Sequence, residues 1–348
     1  MSEGESTIYE VARRAAVSIS TVSLAINHPD RVRSDTLDRI LAVIDETGFV
    51  PKERAVARAR AGVGRIAVIA PFTSYPAYAR RLNGVFTELG RDGTQVIVYD
   101  HEDIAMASSP LLDAMPVKGH VDGIIIMDMP IDGRIVARLH QRLPAVVIGG
   151  AERALSRVDV DDFQGGRLVG ERLAEWGHRR VAFVREAQVT LFAQSPTQQR
   201  FDGLASVLGR DSVLDVTVPH SEDAGRDAVR QLFTDPDRST WPTAILATRD
   251  LVAIRVLRAA YESGIRVPEN LSIVGYDDDP TAEAIGLTTI RNPLEETGAM
   301  AVRVLQRLMR GGPVEDVRLP VTLIERGTAG PVSASGHLAQ DQAHLGSP

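Results

Sequence analysis

Short runs of apolar residues, many of them β-branched, recur along most of the chain and are separated by longer amphipathic stretches. A continuous apolar run indicates a strand buried on both faces, whereas a strand with one face in water alternates polar and apolar residues. Such strands, alternating with helical segments, are typical of a parallel sheet covered by helices, so the pattern predicts a doubly wound α/β body. The predicted strands occupy residues 66–70, 95–99, 123–127, 145–148, 181–184, 244–247 and 271–275.

The beginning of the chain lacks this pattern and instead predicts short helices. The first helix has Thr7 as its N-terminal cap. Its buried stripe, at helical spacing, comprises Ile8, Val11, Ala12 and Ala15. A tight connection at residues 16–18 leads to a second helix over 19–26, for which Ser18 and Thr21 resemble a cap.

A third helix is predicted with a cap at Ser34 and a stop at Gly48, and three short helices in this order favour a helix-turn-helix unit. A chain of 348 residues exceeds the usual size of one hydrophobic core, so several compact units are expected. The predicted domains are a head at 1–50, a hinge segment at 51–63, a body at 64–330 and a flexible tail at 331–348.

The charge is distributed unevenly between the head and the rest of the chain. A net charge of −7 argues against a generally basic nucleic-acid binder, but residues 1–62 hold nine basic and nine acidic side chains and are neutral. The segment after the head contains five cations but only one acid, Glu53. The cations are Lys52, Arg54, Arg58, Arg60 and Arg65. Phosphate contacts need local clusters of this kind, although a solvated charged helix face would have the same composition.

Catalytic and metal-binding interpretations have little support in the sequence. The acidic clusters at 161–162 and 277–279 do not have the spacing of a calcium loop, and the eight histidines form no metal motif. There is no cysteine, which removes disulfides and thiolate chemistry, and no phosphate-cradling glycine loop. We therefore expect no enzyme activity, no cofactor and no metal. No segment has the length and apolarity of a membrane span, so we expect a cytoplasmic protein.

The second predicted helix has an outer edge suited to DNA. A recognition helix turns its apolar face inward and presents its first exposed side chains to base edges in the major groove. The inward residues would be Val17, Val22 and Ile26. Ile19, Ser20 and Leu24 would then point outward, where an exposed Ile and Leu suit thymine methyl groups better than water. On spacing alone, a helical hairpin used only for packing or dimerisation remains the alternative.

Residues 7–27, continuing through Val32-Arg33 to Gly48-Phe49, resemble the head of the lac repressor (LacI/GalR) family, T-I-x-x-V-A-x-x-A-x-V-S-x-x-T-V-S-x-x-x-N. The resemblance implies that Ile19, Ser20 and Leu24 are the base-reading positions. Leu24 departs from the Arg or His common in relatives and should alter sequence preference. The predicted DNA contacts are Thr7, Ser18, Ile19, Ser20, Thr21, Ser23, Leu24, Asn27, Arg33, Arg54, Ala57, Arg58 and Arg60.

Residues 54–61 resemble the hinge helix of that family, which orders on operator binding and wedges a leucine into the minor groove. Here Arg60 stands where the leucine would be, so the wedge is replaced by a cation that can enter a narrow minor groove.

The body resembles a periplasmic-binding-protein-like (type I) architecture of two α/β lobes with an effector between them. Collinear matches carry this resemblance; they include 121–125, 160–166, 177–183, 200–203, 248–250 and 267–278. The implied lobes are 64–162 with 292–322, and 163–291 with 323–330.

The resemblance also implies an effector site at the ends of the strands, where polar groups converge. The predicted effector residues are Tyr78, Arg200, Arg249, Asp250, Asp277 and Asp278. Arg200 and Asp277 match the family's effector-binding pair; for Asp250 and Asp278 helix capping is the alternative, and for Tyr78 a place in the core. Arg249 replaces the usual asparagine. Together with Arg185, this cation suggests an acidic or phosphorylated ligand. The alternative is that Arg249 forms a surface salt bridge. The acid that relatives often place after the fourth body strand is replaced by Gly149-Gly150.

The resulting hypothesis is an allosteric repressor of carbohydrate or related catabolic genes. A homodimer would place two heads on a palindromic DNA operator, and a sugar, sugar acid or sugar phosphate would change the operator affinity. The sequence does not choose between induction and corepression. Leu338 and Leu345 supply too few heptad positions for a tetramerisation helix. A solute-binding protein and an enzyme with an accessory helical domain are the alternatives; the head argues against the first and the missing catalytic groups against the second.

Overall fold

The computed structural model describes residues 7–49, 64–72, 75–90, 93–100, 110–118, 120–129, 131–149, 153–187 and 195–332. The predicted hinge contacts Arg54, Ala57, Arg58 and Arg60 lie outside the described residues, as does most of the predicted tail. Among the described residues, no helix combines the length and the apolarity that a membrane span requires.

The head consists of α1 (Ile8–Arg14), α2 (Ile19–Asn27) and α3 (Ser34–Thr47), with a 3₁₀ turn at Pro29–Arg31. The Thr7 side chain caps α1 by accepting from the Glu10 N–H at 3.4 Å, as predicted. For α3 the predicted cap is wrong by one residue, because the N-cap is Arg33, whose side chain makes no capping bond. Gly48 ends α3 in the left-handed region at φ 64°, which glycine adopts without strain.

The apolar stripes of the three head helices meet in one small core. Val22 and Ile26 of α2 are buried in it, and Val17 packs against it. This is the inward face that the sequence predicts.

The remaining helices and strands alternate along the chain and build two sheets. The strands are β1 (Arg65–Ala70), β2 (Gln95–Asp100), β3 (Gly123–Met127), β4 (Ala145–Ile148), β5 (Ser156–Val160), β6 (Val181–Glu186), β7 (Val213–Val218), β8 (Ala244–Ala247), β9 (Ser272–Asp277), β10 (Thr288–Arg291), β11 (Asp316–Leu319) and β12 (Thr322–Ile324). The helices are α4 (Pro76–Leu89), α5 (Pro110–Lys118), α6 (Gly133–Arg142), α7 (Asp162–Glu175), α8 (Pro196–Leu208), α9 (Ala224–Leu232), α10 (Asp250–Glu262), α11 (Pro280–Ala284) and α12 (Leu294–Met309).

The first sheet has the strand order β11-β5-β4-β3-β1-β2 and the second the order β12-β10-β9-β8-β6-β7. The pairs β1–β2, β1–β3, β3–β4 and β4–β5 are parallel, as are β6–β7, β6–β8, β8–β9 and β9–β10. Strand β12 pairs with β10 in the antiparallel sense. The predicted doubly wound, parallel architecture is confirmed, and the seven predicted apolar runs are strands.

The chain divides into two compact units. Unit 1 contains Met1–Asp159 and Leu294–Arg318, and unit 2 contains Val160–Pro293 and Leu319–Pro348. The head, which the sequence treats as a domain of its own, therefore packs with the first sheet in unit 1.

In each unit two helices approach closely enough to exclude a Cβ atom. In unit 1, a Cβ on Gly298 of α12 would lie 1.9 Å from the carbonyl oxygen of Arg81 in α4. In unit 2, a Cβ on Gly166 of α7 would lie 1.9 Å from the carbonyl oxygen of Arg200 in α8. Because the backbones touch at these points, the positions of Arg81 and Arg200 are fixed relative to the neighbouring helix.

Candidate functional site

The outer edge of α2 is accessible. Ile19 is 41% exposed, Ser20 is exposed and Leu24 is half-buried. None of these three belongs to the apolar core of the head. They line a shallow surface concavity of 510 Å³ together with Ser23, Asn27 and His28. A row of apolar and hydroxyl side chains along one side of a short helix can contact methyl groups and base edges in a groove.

The start of α2 is held by its own hydroxyl groups. Ser18 accepts from the Thr21 N–H at 3.0 Å, and the two side-chain oxygens lie 2.7 Å apart. This confirms the predicted cap. Farther along, the Asn27 amide donates to the Ser23 hydroxyl at 3.4 Å. Arg33, just before α3, has an exposed side chain. The capping bonds fix the first turn of α2, and its free backbone N–H groups make that end favourable for phosphate.

Sequence reasoning did not select two further head residues with exposed side chains. Tyr9 on α1 is 69% exposed. His28 follows α2 and lines the same concavity as Leu24. The signal for Tyr9 was available: it lies beside Ile8 and off the predicted buried stripe.

In unit 2, the buried centre of the candidate effector site is Arg200. Its Nε donates to the Asp162 carboxylate at 2.7 Å and its Nη1 to the Thr248 carbonyl at 2.6 Å. The guanidinium lies 3.6 Å from the ring centroid of Tyr276, whose hydroxyl donates to Asp162 at 3.1 Å. Burial lowers the pKa of Arg200, but Asp162, Tyr276 and Asp277 together more than offset it, so the pKa is raised. Arg200 is therefore a fixed cation held by one carboxylate and one aromatic face.

Asp277 is the last residue of β9 and Asp278 follows it directly. Both have positive φ angles, 111° and 49°, which are uncommon outside glycine and aim the two carboxylates in different directions. Asp277 is buried and accepts from the Asn292 amide at 3.0 Å. Asp278 instead pairs with Arg291 and Arg326, each at 2.7 Å. Burial raises the pKa of Asp278, but the two arginines outweigh it, and the result is a lowered pKa.

Asp250 is the most deeply buried of the predicted acids. Its carboxylate accepts from the Thr289 hydroxyl at 2.6 Å and from the Asp279 N–H at 2.8 Å. Burial raises its pKa to about 8, with Asp277 adding to the effect. At pH 7 the group is therefore mainly a neutral carboxylic acid. Its two bonds join α10 to the segments after β9 and in β10, which is a structural role different from helix capping.

Arg249 has its own carboxylate. Its Nη1 donates to Glu186 at 2.9 Å, and Arg255 and His220 contact the other oxygen of Glu186 at 3.3 and 3.0 Å. Glu186, the last residue of β6, is only 5% exposed at its side chain. Arg185 is likewise paired, with Asp215. Sequence reasoning missed Glu186, although an acid at the carboxyl end of a predicted buried strand was a usable signal.

In unit 1, the carboxyl end of the sheet carries an aromatic group and one ion pair. Tyr78 is buried and packs edge-to-face against Phe72 and Tyr75, at centroid distances of 6.5 and 6.1 Å. Beside them the Arg81 guanidinium pairs with Asp128, which follows β3. A Cβ at Gly149 would lie 1.8 Å from Asp128 Oδ1, so this carboxylate fills the space beside the residue where relatives often carry an acid. Neither Arg81 nor Asp128 was predicted.

Among the described residues, no group of three or more His, Cys, Asp or Glu side chains could hold a metal ion. The acidic side chains at the ends of the strands are instead paired with arginine, amide and hydroxyl groups.

Two protein-family models match the chain. Residues 7–52 match the bacterial regulatory proteins, lacI family, and residues 171–329 match a periplasmic binding protein-like domain. Among curated proteins, the HTH-type transcriptional regulator CelR of Thermobifida fusca is 30% identical over 332 residues, 90% of this chain and 94% of that protein. The ribose operon repressor of Escherichia coli (strain K12) is 26% identical, over 93% of this chain and 99% of the repressor.

Solved structures agree with these matches. A transcriptional regulator CelR–cellobiose complex superimposes with a TM-score of 0.64 and 26% identity, covering 93% of this chain and all of that chain. A LacI family transcriptional regulator from Enterococcus faecalis V583 with bound ribose gives 0.68 and 27%, covering 77% and 100%. The lac repressor dimer bound to operator and the anti-inducer ONPF gives 0.65 and 25%, covering 93% and 99%.

Proposed function

The chain belongs to the lacI family of bacterial regulatory proteins, and we propose that the outer edge of α2 reads its operator while a neutral sugar controls it. As a member of this family it is a sequence-specific DNA-binding transcriptional regulator. We further propose that it represses carbohydrate or related catabolic genes, acts in the cytoplasm as a homodimer on a palindromic site, and has no enzymatic activity.

The observation that supports the DNA-reading proposal is the exposure of Ile19 and Ser20, with Leu24, along one edge of a capped helix. A solvent-exposed Ile on a small head is unfavourable in water and gains from contact with a thymine methyl group. We propose that Ser18 and Thr21 at the start of α2, and Arg33 before α3, contact phosphates rather than bases. The hinge residues Arg54, Ala57, Arg58 and Arg60 complete the proposed contact set, on the resemblance alone.

The test is selection of a duplex from a random pool by the full chain, followed by gel shifts with variants. Ile19→Ala and Leu24→Ala should each weaken binding to the selected duplex by about 5- to 150-fold and flatten preference at one or two positions, since a base contact is worth ~1–3 kcal/mol. Ile285→Ala is the matched control, because Ile285 in unit 2 is also 41% exposed. Variants that bind the selected duplex as tightly as the control would refute the assigned edge.

The charges around Arg200 support a neutral rather than an anionic effector. Arg200, Arg249 and Arg185 each have a carboxylate partner, in Asp162, Glu186 and Asp215. An anionic ligand would have to displace one of these carboxylates and leave it without its cation, which is costly for a buried group such as Asp162. A sugar hydroxyl can donate to a carboxylate and accept from a guanidinium without displacing either. The structures with cellobiose and ribose belong to other members of the family and agree with this choice.

Thermal-shift screening tests the effector class. Neutral mono- and disaccharides should stabilise the protein by an amount that rises with the logarithm of ligand concentration above the Kd, while the matching sugar acids and sugar phosphates should not stabilise it. Hits are then added to the gel shift with the selected duplex. Stabilisation by sugar phosphates alone would refute the neutral-ligand proposal and restore Arg249 as an anion-binding group.

A further inference from the structure

Helix α6 presents an arginine on each of three successive turns toward the head. Residues four apart lie on one face of a helix, which places Arg134, Arg138 and Arg142 in a row. The opposing helix, α3, carries acids seven residues apart, at Asp38 and Asp45. Arg134 pairs with Asp38 at 3.2 Å. Arg138 and Arg142 share Asp45, at 2.8 and 3.0 Å.

These contacts go beyond a surface ion pair. Arg138 is buried and also pairs with Asp113 of α5 at 2.7 Å. Arg142 donates to the Ile44 carbonyl at 2.9 Å, which lies in the last turn of α3, where carbonyls lack partners within the helix. Val117 of α5 is fully buried against the apolar core of the head. The contact therefore combines apolar burial with charge-assisted hydrogen bonds, the kind that fixes geometry.

Docking leaves the proposed DNA-reading edge open. The acids face α6, whereas Ile19 and Ser20 remain exposed at the concavity of α2. The base-reading side chains therefore stay accessible while the head is packed against the first lobe. A head held in one orientation loses less freedom on binding than a loosely tethered one, and this lowers the entropic cost of association.

We propose that the arginine row of α6 is a docking surface for the head, and that docking holds the head in its DNA-binding orientation. This inference rests on the proposed function, since it needs an operator to bind. When α6 moves together with the first lobe, its ion pairs with Asp45 then move α3 as well. The first lobe thereby gains a direct contact by which to change operator affinity.

The first experiment compares Asp45→Asn with Glu46→Gln. Glu46 is the neighbouring residue on α3, but its partner is Arg14 within the head. Both substitutions remove one negative charge, which by itself favours binding to a polyanion. Asp45→Asn should nevertheless bind the selected duplex about tenfold more weakly than Glu46→Gln at low salt, a change of ~1.4 kcal/mol. Equal affinities, or tighter binding by Asp45→Asn, would overturn the proposal. Failure of the wild-type chain to select any duplex would instead refute the proposed function.

A distance measurement tests docking without DNA. The chain has no cysteine, so Asp35→Cys on α3 and Gln141→Cys on α6, both exposed positions, can carry spin labels. Labelled chains are diluted with unlabelled chains so that distances are measured within one molecule. The wild-type background should give one narrow distance distribution, and Asp45→Asn a broad one with unchanged circular dichroism. A broad distribution in the wild-type background, or the same narrow one in both, would overturn docking.

Discussion

The pH dependence of unit 2 should be dominated by Asp250 near neutrality. The pKa of this carboxyl is raised from 3.8 to about 8, chiefly by burial. At pH 7 the folded chain keeps a proton there, while the unfolded chain has released it. Folding therefore takes up about one proton, and the stability contributed by the protonated form is fully present below the unfolded pKa and lost as the pH rises through 8. Each pH unit inside this window costs about 1.4 kcal/mol.

Between pH 6.5 and pH 8 the expected loss is roughly 1.5 kcal/mol, because the slope flattens as the pH reaches the folded pKa. The buried His178, whose pKa is lowered from 6.5 by burial, opposes this loss by at most ~0.4 kcal/mol, because its unfolded form is already half deprotonated at pH 6.5. The window avoids the carboxylates with lowered pKa values, such as Asp278, which act in acid. In Asp250→Asn the group does not titrate, so this loss should disappear.

Urea denaturation followed by tryptophan fluorescence is the assay, since the two tryptophans of the chain, Trp176 and Trp241, both lie in unit 2. The free energy of unfolding is compared at half-unit pH steps for the wild type and for Asp250→Asn. Glu222→Gln is the charge-loss control, as the Glu222 side chain is 91% exposed. If the curves of the wild type and Asp250→Asn run parallel between pH 6.5 and 8, the buried neutral carboxyl is refuted.

Two substitutions test local packing and capping. Gly166→Ala should lower the tryptophan-monitored free energy of unfolding by ~1–3 kcal/mol, because the added Cβ would clash with backbone. Gly133→Ala is the control, since the added Cβ would lie in open space, and it should be neutral or stabilising in thermal melts. Ser18→Ala should cost about 1 kcal/mol of local stability, seen as roughly fivefold faster hydrogen exchange of the α2 amides. Ser20→Ala should leave that exchange unchanged and weaken only DNA binding. Equal effects within either pair would contradict the assigned contacts.

The sequence predicted those strands that contain a run of apolar residues. Among the strands that the structure describes, β5, β7, β10, β11 and β12 were missed, and the first two illustrate different reasons. In β5 a charged residue, Arg157, is buried because it pairs with Asp159 and Asp316, and the second of these lies far away in the sequence. In β7, at the edge of its sheet, buried and exposed residues alternate, so no continuous apolar run exists. Periodicity detects a strand by its solvent exposure and cannot show a distant ion-pair partner.

The DNA-reading edge was easier to predict than the effector site. The position of a residue on α2 follows from helical spacing within the head, and Val22 and Ile26 take the buried face as expected. Asp250 and Asp278 are different, because their partners Thr289 and Arg326 come from later segments that meet only in the folded sheet. The spacing of residues along the chain cannot predict such contacts.

Arg249 shows how this limit affects a functional inference. A cation where relatives carry an asparagine suggested an anionic ligand, but a charge is informative only together with its nearest counter-charge. That counter-charge is Glu186, 63 residues earlier in the chain and buried beside Arg255. A pair of this kind presents both donors and acceptors, as a polyol requires, and its net charge toward a ligand is near zero. Arginine in place of asparagine at position 249 therefore keeps the site suited to a neutral ligand, provided that Glu186 is there to balance its charge. Glu186→Gln should remove one negative charge beside Arg249 and shift ligand preference toward sugar acids in the thermal-shift screen.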